Sequence, residues 1–130
     1  MTAFRLEKTV IECPDPLALG EFYAGLLGMR LLEEEDDWVV IGREPGMREL
    51  AFQRPQQWQA PDAWPGGPAR LHLDLHVDDV EEATAAVLAR GATRAPGAPE
   101  TGYRVFLDPV GHPFCLIHGR SRHSDPRWRD

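Results

Sequence analysis

Cysteine is scarce in this chain. Cys13 and Cys115 are the only two in 130 residues, with no CxxC and no paired spacing, so neither a disulfide framework nor a zinc finger organises the fold. Both read as small buried hydrophobes. Positive charge is also short, with Lys+Arg 14 against Asp+Glu 21 and a net charge of −7. A phosphate-backbone partner calls for a basic face, so nucleic acid is excluded. No apolar run approaches the length that spans a bilayer, and the start, Met1 to Val10, carries Arg5, Glu7 and Lys8 where a signal peptide needs an unbroken apolar stretch. A cytoplasmic protein with no membrane partner is expected. No P-loop, dinucleotide fingerprint or Ser/His/Asp order is present, and Gly66-Gly67 is too short to cradle phosphate. What remains is 42% hydrophobic and 27% charged, the composition of one soluble globular domain able to bury a sizeable core.

The chain reads as two halves with one plan. Thr9 to Cys13 is β-compatible, and Pro14-Asp15-Pro16 then stops it, offering Asp15 as a helix N-cap with Pro16 just inside. Leu17 to Leu27 has Leu19, Phe22, Tyr23, Leu26 and Leu27 at helical spacing, and Gly28 suits the left-handed residue that ends such a helix. Arg30 to Glu34, Asp37 to Gly42 and Arg48 to Arg54 follow as strands. The second half repeats the βαβββ order: Leu71 to Val77, a helix Val80 to Arg90 capped by Asp79 and closed by Gly91, then Thr93 to Ala95, Tyr103 to Leu107 and Pro113 to His118. In that helix Val80, Ala83, Val87 and Leu88 share the apolar face. An internal duplication is the economical reading. The expected layout is a domain over 1–118, with module one at 5–54, a connector at 55–69 and module two at 70–118, followed by a polar tail at 119–130.

The paired βαβββ plan resembles the vicinal oxygen chelate superfamily, also known by its glyoxalase, bleomycin-resistance and dioxygenase members. The segments Cys13-Pro14-Asp15-Pro16 leading to Phe22-Tyr23 and Leu27-Gly28, His72-Leu73-Asp74-Leu75-His76-Val77-Asp78-Asp79, and Asp108-Pro109-Val110-Gly111-His112-Pro113-Phe114-Cys115-Leu116 carry the likeness. The wording around Trp64-Pro65 and in the last segment is similar to short glyoxalase-like proteins of actinobacteria. The resemblance implies an α+β fold in which two tandem modules form a curled mixed sheet with a central cleft, often within a homodimer. It also implies metal ligands in those members that use one, a His near the start of a module's first strand and a Glu on its last. Here those places fall on Lys8 and His72, and on Gln53 and Cys115. Lys8 cannot ligate while protonated, so His72 is the one metal ligand that fits, with Cys115 a thiolate donor for a soft metal. No cofactor is expected; a divalent metal is the alternative.

Alternation adds a reading independent of the resemblance. Leu71, Leu73, Leu75 and Val77 share one strand face, so His72, Asp74 and His76 share the other. A solvated outer strand gives the same pattern, but in the implied fold the apolar face meets the helix and the other lines the cleft. Asp74 then fixes the tautomer of His72, making His72 the proton-transfer group and Asp74 its partner, with His76 at the rim. The same parity turns Leu50 and Phe52 toward helix and Ala51 and Gln53 toward ligand, where Gln53 offers both a donor and an acceptor. Trp38, Trp58 and Trp64 are candidate aromatic walls, each weighed against plain core or connector packing, and Trp64 is favoured for the stiff Pro65-Gly66-Gly67-Pro68 loop beside it. His112 either faces the pocket or bonds its own turn, and Cys115 lies beside the ligand or simply in the core. The Glu33 to Asp37 run is a solvated turn.

The functional expectation is a glyoxalase and bleomycin-resistance-type protein that binds a small organic molecule, with metal-free acid-base chemistry at His72. If it is an enzyme, a lyase or isomerase is expected. The rivals are a metal-dependent lyase, isomerase or dioxygenase of the same superfamily, and a resistance protein that sequesters a cationic antibiotic by stacking on Trp64 beneath an acidic surface.

Overall fold

The computed structural model describes residues 3, 6–60, 72–96 and 102–118. The chain divides into two compact units between Gln59 and Ala60. In the first, β1 (Thr9–Glu12), α1 (Pro16–Leu27), β2 (Arg30–Glu35), β3 (Trp38–Gly42) and β4 (Arg48–Gln53) build a four-stranded sheet in the order β1-β4-β3-β2. The β1/β4 pair is parallel and the others antiparallel.

Local chemistry sets these boundaries. The Asp15 carboxylate accepts the Ala18 N–H at 3.2 Å with Pro16 in the first turn, and Gly28 at φ 68° ends α1 in the left-handed conformation that a side chain would strain. Leu19, Phe22 and Tyr23 bury one face of the helix, and the Tyr23 ring stacks on Phe52 at 5.8 Å. That contact identifies the helix-covered side of the sheet. The β3–β4 hairpin closes so tightly at Gly42 that an added Cβ would lie 1.8 Å from the Met47 carbonyl oxygen, which excludes any other residue there.

The second unit repeats the plan with β5 (Leu73–His76), α2 (Val80–Ala89), β6 (Thr93–Arg94), β7 (Tyr103–Leu107) and β8 (Pro113–Ile117), in the order β5-β8-β7-β6 with β5/β8 parallel. The Asp79 carboxylate accepts two N–H groups, those of Glu81 and Glu82 at 3.0 and 3.1 Å. Arg104 on β7 donates to Thr84 Oγ1 at 3.0 Å and to the Glu81 carboxylate, tying the sheet to α2. Phe106 and Phe114 stack at 5.8 Å. The α+β fold with two βαβββ modules, each a mixed four-stranded sheet, is thus as the sequence implied.

Details differ. Leu88 is 46% exposed, so the apolar face of α2 runs through Val80, Ala83 and Val87 alone, because one residue beyond Val87 turns about 100° away from the sheet. β6 is two residues long, although the Ala95 N–H still donates to the Val105 carbonyl at 3.1 Å. Trp58 is half-buried. Trp64, most of the connector, Leu71 and the 119–130 tail lie outside the described residues. No described helix is long and apolar enough to cross a membrane.

Candidate functional site

Register sorts each sheet into two faces. In the second unit Asp74 pairs with Cys115, His76 with Ile117, Val105 with Cys115 and Tyr103 with Ile117. Arg104, bound to α2, marks the helix-covered side, which it shares with Leu116, Phe106, Phe114, Leu73 and Leu75 by alternation. The opposite face therefore carries Asp74, His76, Cys115 and Ile117, with His72 one step upstream of β5. Alternation along 72–76 was the right guide to this side of the strand. Beside these polar groups lies a buried apolar patch of Ala95, Val105, Cys115 and Ile117, with Tyr103 and Leu107 packed against it.

Three of the singled-out residues converge. His72 Nε2 lies 3.4 Å from Asp74 Oδ1, and one donor atom from each of His72, Asp74 and Cys115 falls within 4.8 Å of the others. Burial pushes the Cys115 thiol up to about 12, with the Asp74 charge and the hydrogen bond that the thiol donates to Asp74 adding to it. The free thiol thus keeps its proton at neutral pH and is no nucleophile. Asp74 collects contacts from both sides, from the imidazole and from the thiol.

The remaining residues are not part of this cluster. His76 directs Nε2 to Asp78 at 3.4 Å, at the far end of β5. His112 has its backbone engaged in the turn before β8: its N–H donates to Asp108 Oδ1 at 3.0 Å and its carbonyl accepts from the Asp108 N–H at 2.8 Å. It is one residue out of phase with Pro113. Trp38 and Gln53 are cross-strand partners in the first unit, on the side away from α1, and Lys8 Nζ stands 5.7 Å from the Trp38 ring.

Register also corrects one correspondence. Val10 pairs with Ala51 where Asp74 pairs with Cys115, so the first-unit counterpart of Cys115 is Ala51, and Gln53 corresponds to Ile117. Strand alternation alone could not reveal this, since it fixes faces but not cross-strand partners.

The model of the glyoxalase-like domain family matches residues 8–117. The chain belongs to this family. Solved structures with the same fold include a glyoxalase/bleomycin resistance protein/dioxygenase family enzyme from Burkholderia phytofirmans, 19% identical over 85% of this chain and 95% of that one, with a TM-score of 0.63. The fosfomycin resistance protein from Mesorhizobium loti is 16% identical over 92% and 95%, with a TM-score of 0.60. Leishmania major glyoxalase I is 20% identical over 89% and 87%, with a TM-score of 0.61. No curated protein matches the sequence significantly.

For a glyoxalase-like chain the fit to a metal is the next question. A set of imidazole and glutamate ligands drawn from both units does not fit the described residues, because Lys8 is an ammonium and Ala51 has no donor. The second unit alone offers nitrogen, oxygen and sulfur together, a set suited to a softer divalent ion. Such an ion would polarise an oxygen of a bound molecule as a Lewis acid.

Proposed function

We propose that this glyoxalase-like protein binds a small organic molecule at the helix-free face of its second sheet, with His72 as the group that exchanges a proton with it. The observation that carries this reading is the segregation of His72, Asp74 and Cys115 onto one face, next to an apolar patch. Apolar walls with a few converging polar groups are what small-molecule sites are made of. In the metal-free protein, the Asp74 carboxylate 3.4 Å from Nε2 orients the His72 imidazole that takes a proton from the ligand or positions it. The Cys115 thiol, donating to the same carboxylate, keeps Asp74 turned toward this duty.

Thermal-shift screening of metabolites and antibiotics tests the reading, since a ligand at 100 times its Kd stabilises the native state by about 2.7 kcal/mol. The expected result is a ligand whose shift is lost in His72→Ala and whose amide shift changes fall on β5 and β8. Ligands that stabilise His72→Ala equally, or that perturb only the α2 side, overturn it.

A further inference from the structure

We propose that His72, Asp74 and Cys115 bind one zinc-class divalent ion through nitrogen, oxygen and sulfur, all supplied by the second sheet. Two donors come from alternate positions of one strand run, His72 and Asp74, and the third from the residue paired with Asp74 on the neighbouring strand. The triangle closes without any residue of the first unit, so Lys8 and Ala51 do not stand against it.

The dimensions agree. Donors on a zinc tetrahedron stand about 3.3–3.7 Å apart, given metal–ligand bonds of about 2.0–2.3 Å. The His72–Asp74 separation is 3.4 Å, already that edge, and the widest separation in the cluster is 4.8 Å. Closing it takes about 1 Å of movement by the solvent-accessible His72 and Asp74 side chains, while Cys115 stays fixed in the sheet.

The chemistry balances without an oxidant or reductant. The Cys115 S–H bond breaks, a sulfur–metal bond forms, and the proton that lay between thiol and Asp74 leaves to solvent, while the neutral His72 ring ligates through Nε2 with its one proton held on Nδ1 by exchange through solvent. The carboxylate changes from hydrogen-bond acceptor to ligand. One thiolate selects zinc-class ions over magnesium and calcium, which take oxygen. Three protein ligands leave a fourth position open, the arrangement of sites that bind an exogenous oxygen. Because the ion takes the His72 imidazole, metal binding and proton exchange by His72 are alternative states of one cluster.

Cobalt(II) titration of the full chain after chelator treatment, followed by zinc competition, tests the site. The expected result is one ion per chain, a thiolate-to-cobalt charge-transfer band in the near ultraviolet, and about one proton released per ion at neutral pH. Cys115→Ser abolishes the band and weakens binding by about 100-fold or more, Asp74→Asn and His72→Ala weaken it by at least about 10-fold, and Cys13→Ser changes nothing. Circular dichroism melts confirm that each variant is folded. Binding without the band, a band that survives in Cys115→Ser or vanishes in Cys13→Ser, or no binding at millimolar cobalt overturns the proposal. None of these readouts involves the organic ligand, so failure here is distinct from failure of the small-molecule reading.

Discussion

One step before its first strand, the first sheet carries Lys8 and the second carries His72; two residues further on, Val10 paired with Ala51 stands against Asp74 paired with Cys115. On the helix-covered side the corresponding positions are Leu50 and Phe52 in one sheet and Phe114 and Leu116 in the other, the same chemistry in reversed order. All four are buried. At these positions the side that meets the helix is under one requirement in both modules, apolar volume, while the opposite side carries an apolar pair in one module and a hydrogen-bonded polar pair in the other. The packing that holds the fold resides in the first kind of position and the proposed chemistry in the second.

The largest expected effects test the shared side. Phe52→Ala removes a fully buried ring stacked on Tyr23, and Phe114→Ala removes one stacked on Phe106. Each should cost about 3–5 kcal/mol in urea unfolding. A cost below about 1 kcal/mol for one of them breaks the equivalence of the two helix-covered faces.

The opposite side gives the second test. Replacing Asp74 and Cys115 with Val and Ala rewrites the second sheet as the first has it. Zinc affinity should fall by about 100-fold or more, which is about 2.7 kcal/mol, while stability stays within about 1.5 kcal/mol of the parent because volume is roughly kept. Unfolding on this double replacement would mean that the polar pair holds the sheet together, and the division of labour fails.

Alkali provides a third and smaller contrast in chelator-treated protein, since Ala51 has nothing to titrate where Cys115 does. The folded thiol keeps its proton up to about 12 against an ordinary value of 9.0, so above pH 9 the unfolded chain loses a proton that the native one retains. Stability then falls as pH rises, by about 1.4 kcal/mol at pH 10, and the fall levels off above the native value. The difference between wild type and Cys115→Ser across pH 8 to 10 (about two units around the thiol's ordinary range) isolates it. A constant difference shows that burial does not hold the proton on.

How much of this was legible in the sequence depends on the range of each signal. Caps and helix ends are local: Asp15, Gly28 and Asp79 stand where spacing put them, while α2 ends one residue early, with Arg90 as its C-cap and Gly91 at φ 101° just beyond. Period-two alternation is local too, so it turned His72 and Asp74 away from the helix side. Partnership across β5 and β8 joins residues far apart in the chain through turns that set the register, and alternation carries no information on it. That is why Gln53, not Ala51, was matched to Cys115, and why the thiol contact of Asp74 was not foreseen. Leu88 failed for a different reason: a helix face read from spacing is wider than the strip that α2 presents to its sheet.

The smallest effect concerns how each module closes its last hairpin. In the second, the buried Asp108 carboxylate accepts the N–H groups of Val110 and His112, each at 3.0 Å. In the first, an ion pair at the surface spans the β3–β4 turn: Arg43 Nε and Nη2 donate to the two Glu49 oxygens at 2.9 and 2.8 Å, and the Arg43 N–H donates at 3.3 Å. The Arg43 hydrogen bond holds the Glu49 carboxyl below its ordinary 4.5, against a desolvation effect of opposite sign. A lowered native value means that the stabilisation is present above pH 4.5 and is lost as pH falls through the native value. Glu49→Gln should therefore lower the Tm slightly at pH 7, with the gap narrowing as pH falls below the ordinary 4.5 and shrinking in about 1 M salt, because the pair is exposed and screened. A gap that persists in acid and salt shows that Glu49 acts through shape instead of charge, and the hairpin contrast between an exposed ion pair and a buried carboxylate no longer holds.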